Sequence, residues 1–363
     1  MSLLYETINS ITASDRDAMQ KAAKYIDSLA KPLGSFGMLE EIAIKYAGIT
    51  GQIFNKVHKK NIIIMCSDNG ICEEGVSSAD QVITRLMTNS MPEMKTGVGV
   101  LASFAGSELT VVDVGVKGVI LNPKVINRKI NHGTKNICKG PAMSRDEAVK
   151  AVEVGIEITD ELSNKGYDLF GTGEMGIGNT STSAAVISAL LEIDINKLVG
   201  AGAGLTDEQL ENKKKVLKKA LEINKPDKKD VLDVLSKVGG FDIAGMCGCF
   251  LSAAKNKKPI VIDGVISGAA ALCAYILKPE VKDYMFTSHK SDEKAVNYVF
   301  EYMGLKPMLH LNMRLGEGSG CPLAFNIIEA ALYVVNNMAT FEDVGIGNDI
   351  KDRFVDIRGK GNK

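Results

Sequence analysis

Short apolar runs recur along the chain at NIIIMCSD (61–68), ELTVVDVG (108–115), YDLFG (167–171), PIVIDG (259–264), YMFTSH (284–289) and MLHLNMRLG (308–316). Several are almost continuous Val, Ile and Leu, without polar alternation. Strands buried on both faces read this way, which predicts a parallel sheet. Segments with helical periodicity separate most of them, among them SRDEAVKAVEVGIEITDELSNKG and TDEQLENKKKVLKKALEIN. The alternation predicts an open, doubly wound α/β fold. The first 55 residues read as helices with polar faces; Pro32, Gly34 and Gly37 force a turn, and an amphipathic helix begins at Met38. PIVIDGVISGAAALCAYIL (259–277) is long enough for a membrane span, but Asp263 and Gly264 interrupt it, so strand, turn and helix fit better.

Most of the predicted strands end in a polar or glycine cluster: SDNG, DVGVKG, GTGEMGIGN, DGVISG, TSHKS and RLGEGSG. In open α/β sheets the ligand crevice lies outside the carboxyl ends of the strands, so these clusters are expected to converge. The stretch GTGEMGIGNTSTS (171–183) places Gly171, Gly173 and Gly176 in G-x-G-x-x-G spacing, read as a turn between strand and helix. A dinucleotide site is one reading. Against it, the turn lies mid-chain and Glu174 would set a carboxylate beside a pyrophosphate. A second glycine turn, GAGAGLTDEQL (200–210), contains Gly202 and opens a helix with Thr206 as N-cap and Gln209 three residues on. Lys213 follows within two turns. Two helix-opening turns and a lysine suit a mononucleotide phosphate held by backbone N–H groups, and ordinary βα turns are the alternative. No G-K-[ST] follows either turn. In RLGEGSG, Glu317 stands between Gly316 and Gly318, where small neighbours allow close approach of a substrate. It is either a catalytic carboxylate or an exposed loop residue.

Charge narrows the partners. With 43 basic and 44 acidic residues the net charge is −1 over 363 residues, which argues for a small-molecule substrate and against nucleic acid. Runs such as Lys213-Lys214-Lys215 read mainly as solvated surface. The 7 Cys and 4 His show no zinc-site spacing, so no metal is expected. The N-terminal MSLLYETINSITASDRD lacks a signal-peptide pattern. Reduced thiols, a cytoplasmic location and no membrane association are the expectation. The last residues, IKDRFVDIRGKGNK, read as a frayed basic tail.

KPLGSFGMLEE, SDNGICEEGVSS, GTGEMGIGNTSTSAA, LSKVGGFDIAGMCGC, VIDGVISGAAAL, SHKSDE and RLGEGSG, followed by IIEAAL and NNMATFED, occur in that order. Over about residues 5 to 345 the chain resembles the nicotinate-nucleotide:dimethylbenzimidazole phosphoribosyltransferases of cobamide biosynthesis. The resemblance implies transfer of the 5-phosphoribosyl group of nicotinate mononucleotide to a nitrogen of a benzimidazole, with inversion at the anomeric carbon. It implies a Rossmann-like α/β domain at 56–321 and a small helical domain from both chain ends, 1–55 with 322–363. Homodimers and the absence of a redox cofactor are implied too, and GTGEMGIGN becomes a mononucleotide-phosphate cradle.

By motif, Glu317 matches the family's general base and Glu174 its second active-site carboxylate. Gly176, Lys213 and Ser291 match positions near the phosphate, joined by the Gly202 turn. Met175 and Leu315 match walls around the base and leaving group. Where well-known members line the acceptor pocket with a Ser and, eight residues later, a Gln, this chain has Ala79 and Met87. The acceptor is therefore dimethylbenzimidazole, another benzimidazole, a purine or a phenolic ring. The family's D-H-G is Asp68-Asn69-Gly70 here, and Ala295 replaces a common Gly. A subunit of a related heteromeric transferase and an NAD-dependent oxidoreductase are the other readings.

Overall fold

A computed structural model describes residues 2–200, 204–347 and 356–358. Its centre is a six-stranded sheet: β1 (Lys60–Ser67), β2 (Glu108–Gly115), β3 (Ile126–Asn127), β4 (Leu169–Met175), β5 (Ile260–Ile262) and β6 (Met285–Thr287). The order is β3-β2-β1-β4-β5-β6 and every pairing is parallel. The chain builds outward from β1 to β3, then crosses back to add β4 on the other side of β1. That reversal puts β4 and β5 on the far side of β1, and the crevice lies beyond the carboxyl ends of β4 and β5. Ile62, Ile63 and Ile64 are wholly buried, as strands covered on both faces require.

Side chains alternate across the sheet, and the alternation along β4 shows what covers each face. The Thr172 hydroxyl bonds Ser267 on the helix Val265–Leu277. A Cβ added to Gly171 would instead lie 2.6 Å from Cys321 Cβ on the helix Gly320–Asn337. The helices Arg145–Asn164 and Phe241–Lys255 pack backbone against backbone. A Cβ at Gly155 would fall 1.8 Å from Gly245 O, and one at Gly248 would fall 1.9 Å from Val152 O. The glycines of FDIAGMCGC thus serve helix packing.

The helices anticipated before the first strand are Leu3–Ser10, Arg16–Ser28 and Met38–Thr50. Met38–Thr50 packs on Arg16–Ser28 and on Gly320–Asn337, whereas Leu3–Ser10 lies on the Arg145–Asn164 and Phe241–Lys255 pair. Leu29 bridges antiparallel to Thr340, tying the two ends of the chain together. Residues 259–277 form strand, turn and helix, and no described helix is long and apolar enough to cross a membrane.

Three expectations change. MLHLNMRLG (308–316) is not a sheet strand; it makes a single bridge, His289 with Leu309, and Leu311 and Leu315 are at least half exposed. Met308 packs against the core, but Leu311 and Leu315 have no second layer to bury them. β3, two residues long and without an apolar run, escapes pattern reading. Gly171 and Gly173 lie inside β4, so the G-x-G portion is strand and only the segment after Met175 is turn. The expected tail lies mostly outside the described residues, although Arg358 pairs with Asp27.

Candidate active site

The crevice is an open cleft of about 1020 Å³, mouth included, walled by the ends of β4 and β5 and by the segments that follow them. Glu174, Met175, Gly176, Lys213, Ser291, Leu315 and Glu317 all line it. Residues more than 100 positions apart in sequence therefore meet.

Glu317 occupies an unusual turn. Gly316, Glu317 and Gly318 have φ of 81°, 62° and 89°, three successive left-handed positions. For glycine this is cheap; for a glutamate it costs roughly 1–2 kcal/mol. The side chain is 6% exposed, and its Oε2 accepts from Val98 N at 3.2 Å. Val98 lies in the first turn of the helix Gly97–Phe104, whose N-cap Thr96 accepts from Gly99 N. The carboxylate therefore sits where a helix presents unpaired N–H groups. A Cβ at Gly97 would lie 2.5 Å from Leu315 and 3.3 Å from Glu317 Oε2, so only glycine admits this approach. Burial raises the Glu317 pKa above its usual value, opposed by the Val98 and Gly97 N–H groups.

Glu174, at the end of β4, is 7% exposed. Its Oε1 accepts from Glu317 N at 3.2 Å, and its Oε2 accepts a short bond from Asn179 Nδ2. Asn179 also donates to Asp242 Oδ2 at 3.1 Å, so one amide bridges two buried carboxylates. Burial raises both acids. Asn179 and the Glu317 N–H oppose the shift at Glu174, while the Glu174 charge helps push Asp242 up to about 7.

At the other end of the cleft Gly178, with φ 91°, caps the helix Asn179–Leu191. Lys213 comes from the helix Asp207–Asn224, which opens with the anticipated Thr206–Gln209 capping box. Its ammonium donates to Thr180 Oγ1 at 2.9 Å. Within the lysine run it differs from its neighbours: Lys213 is 1% exposed while Lys215 is exposed. Burial lowers its pKa, opposed by Glu293. Ser291 is buried and its hydroxyl accepts from Glu293 N at 3.3 Å. Gly202 lies outside the described residues.

The glycine spacing has its own explanation. A Cβ at Gly173 would sit 2.4 Å from Glu317 O, and one at Gly176 would sit 2.3 Å from Ser67 O. With Gly171 against Cys321, each glycine of the triplet makes room for neighbouring protein.

Ala79 and Met87 do not line this cleft; Val76, Ser77 and Ser78 do. Ala79 is half-buried, with its N–H on Ser77 Oγ. Met87 is half-buried on the helix Val82–Ser90, one turn beyond Thr84, whose hydroxyl accepts from Ile177 N in the cleft wall. Asn69, in place of the expected His, donates to Ile177 O at 3.4 Å. Sequence reasoning missed Asn179, Asp242, Asp263 and the Gly97–Val98 helix start. The available signals were Thr96-Gly97 as a helix opening and Asp263 as the last residue of an apolar run. Among the described residues, no group of three His, Cys, Asp or Glu is arranged to hold a metal ion.

A family model described as phosphoribosyltransferase matches residues 11–346. The chain is 55% identical over 360 residues to the nicotinate-nucleotide–dimethylbenzimidazole phosphoribosyltransferase of Clostridium tetani, covering 99% of each chain. It is 53% identical over 341 residues to the enzyme of that name from Ruminiclostridium cellulolyticum, covering 94% of this chain and 97% of the relative. The crystal structure of the nicotinate-nucleotide–dimethylbenzimidazole phosphoribosyltransferase from Thermus thermophilus superposes with a TM-score of 0.87 at 33% identity, covering 92% of this chain and 99% of that one. The family model spans most of the chain and full-length relatives share about half of its residues, so the chain belongs to the phosphoribosyltransferase family.

Proposed function

We propose that the enzyme transfers the 5-phosphoribosyl group of nicotinate mononucleotide to a ring nitrogen of an aromatic base of the dimethylbenzimidazole class, giving an α-ribotide and nicotinate for cobamide assembly. The observation that carries this reading is Glu317, a carboxylate held at a helix start inside the cleft. The nicotinate ring nitrogen is already quaternary, so it leaves with the C1′–N electron pair and needs no acid. The incoming base attacks C1′ through one nitrogen and must lose the proton on the other. Glu317 takes that proton as general base. Its raised pKa makes it a better acceptor than an exposed glutamate. Glu174 faces the cation that develops on the ribose. The helix start at Asn179, Gly176, Lys213 and Ser291 receives the phosphate, with the lysine as counter-charge. Met175 and Leu315 wall the ring sites. Ala79, just before the helix Val82–Ser90, and Met87, on it, lie outside the cleft lining but close behind Ser77, Ser78 and Thr84, and we assign them to an extension of the acceptor side in which apolar side chains tolerate varied rings.

The active form on this reading is a homodimer. Val82, Ile83 and Leu86 on one helix, Val100 and Phe104 on the next, and Val119 and Leu121 on a nearby loop are all exposed, Phe104 at 76% and Leu121 at 79%. Asn89 ties the loop to the first helix by accepting from Leu121 N at 2.8 Å. An apolar surface of this kind on the helices flanking the base suits a second copy of the chain. We also assign 1–55 with 322–363 to a small helical domain and 56–321 to the α/β domain, supported by the packing of Met38–Thr50 on Gly320–Asn337. All seven cysteines are free, in keeping with a reducing cytoplasm.

The test is release of nicotinate from nicotinate mononucleotide, with dimethylbenzimidazole, benzimidazole, adenine, phenol or p-cresol as sole acceptor. Release that requires a benzimidazole and yields the matching ribotide is expected. No release with any acceptor would sink the reading.

A further inference from the structure

Glu317 is held by groups other than its own carboxylate partners. Asp263, directly after β5, is 3% exposed and reaches the Glu317 turn with both oxygens. Its Oδ2 accepts from Gly318 N at 3.1 Å and its Oδ1 accepts from Gly320 N at 2.7 Å. Asp263 is itself fixed through its backbone. Its N–H donates to Ser267 Oγ at 3.1 Å and its carbonyl accepts from Ser288 Oγ at 3.0 Å. Gly320 has no room for a side chain: a Cβ there would lie 2.3 Å from His289 Nδ1 and 2.8 Å from Asp263 Oδ1. The bonds to residues 318 and 320 are thus made by backbone pressed against the carboxylate.

The turn needs such a grip. The turn closes on itself with one backbone bond, Ser319 N to Gly316 O at 3.0 Å, which leaves the N–H groups of Glu317 and Gly318 to outside partners, and the middle one of its three positive-φ residues is a glutamate. Glu174 holds the N–H of Glu317, and Asp263 holds those of the first and third residues after it. We propose that Asp263 is a positioning residue for the transferase reaction: by binding the N–H groups of Gly318 and Gly320 it fixes the Glu317 turn, and so the direction in which Glu317 meets the acceptor's N–H. The proposal rests on the general-base reading of Glu317. The titratable groups that face Asp263 are Glu174 from β4, Glu317 from the turn, and His289, whose Nδ1 is 3.9 Å from Oδ1 and whose pKa burial lowers; the Cys321 thiol also lies near it. Burial, reinforced by the Glu174 and Glu317 charges, pushes Asp263 up to about 7, against the pull of the two N–H bonds. These bonds are therefore strongest above neutrality, where Asp263 is ionised.

The experiment compares wild type, Asp263→Asn and Glu317→Gln with acceptors of graded N–H acidity: dimethylbenzimidazole, benzimidazole and nitrobenzimidazole. Asp263→Asn keeps the volume but turns an amide NH₂ toward a backbone N–H. We expect kcat with dimethylbenzimidazole to fall about 10- to 100-fold, as misplaced catalytic groups do. KM for nicotinate mononucleotide should stay within about threefold. The deficit should shrink as the acceptor becomes more acidic and needs less of the base. A loss of equal proportion for every acceptor, or one carried by KM for the nucleotide, overturns the proposal. If Asp263→Asn does not fold, Ser267→Ala loosens Asp263 through its own N–H. It should lose a few-fold in kcat with the same dependence on acceptor acidity, and unchanged kcat or a uniform loss overturns the proposal. Near-normal turnover in Glu317→Gln removes the base role itself and the proposal with it. An inactive Glu317→Gln beside a uniformly impaired Asp263→Asn leaves the base role intact and removes only the positioning.

Discussion

The two ends of the cleft are built by opposite strategies. At the phosphate end, the helix Asn179–Leu191 begins just after β4, and Lys213 arrives from a regular helix with its own capping box. Local backbone structure supplies the geometry there. At the base end, Glu317 sits in a left-handed turn that no local preference would choose. Segments at residues 97–98, 174 and 263 hold that turn in place. An anion needs only a cluster of N–H groups and a positive charge. A general base must meet one proton along one direction, and an imposed conformation with several restraints delivers that direction.

Glu317→Gln should break the comparison most severely. Turnover is expected to fall about 10²- to 10⁴-fold while nucleotide binding by calorimetry is kept. A variant that turns over normally would abolish the distinction between the two ends. Gly173→Ala comes next. Its Cβ would lie 2.4 Å from Glu317 O, so the turn must shift, and kcat should drop about 100-fold without loss of the folded far-ultraviolet spectrum. Lys213→Ala should act at the other end, raising KM for nicotinate mononucleotide about 10-fold or more and touching kcat less, since a charge-assisted phosphate contact is worth about 1.5–3 kcal/mol. A pure kcat effect would place the lysine elsewhere in the chemistry.

The pH profile sharpens the base end. Glu317 must be ionised to act and its pKa is raised above 4.5, so activity should rise with pH along an acid limb lying above that value. Glu317→Gln should lack the limb in its residual rate. Stability should run the other way. Asp242 and Asp263 hold protons more tightly folded, with pKa about 7, than unfolded, near 3.8. Their contribution is complete below about pH 4 and is lost as pH rises toward 7. Asp242→Asn should flatten that part of the curve in thermal melts. Thr96→Ala is the mildest change. Losing the cap of the Glu317-facing helix should cost about 1 kcal/mol and about 1–3 °C in melting temperature.

What was legible in the sequence follows from the range of the interactions involved. Continuous Val/Ile runs announced β1 and β2, and the capping box at Thr206 was readable because three residues settle it. Glu317 between two glycines was visible as a candidate for the same local reason. The apolar 308–316 segment misled, since apolar content does not reveal whether a second layer exists to cover it. Gly171 and Gly173 were read as a phosphate-type turn, yet they lie in β4 and make room for Cys321 and Glu317, about 150 positions away in the chain.

The sequence by itself determined the parallel α/β sheet, most of its strands and helices, and which acids and lysine stood out. Burial periodicity and capping are set within a few residues. Only the tertiary structure decided that Asn179 bridges Glu174 to Asp242, that Asp263 binds the Glu317 turn, and that a helix start at Gly97 meets its carboxylate. Those contacts join segments separated by up to 219 positions, and no local pattern records them. They exist because the parallel sheet gathers the carboxyl ends of β4 and β5 around one crevice, and packing there presses distant backbone against the few side chains that point in.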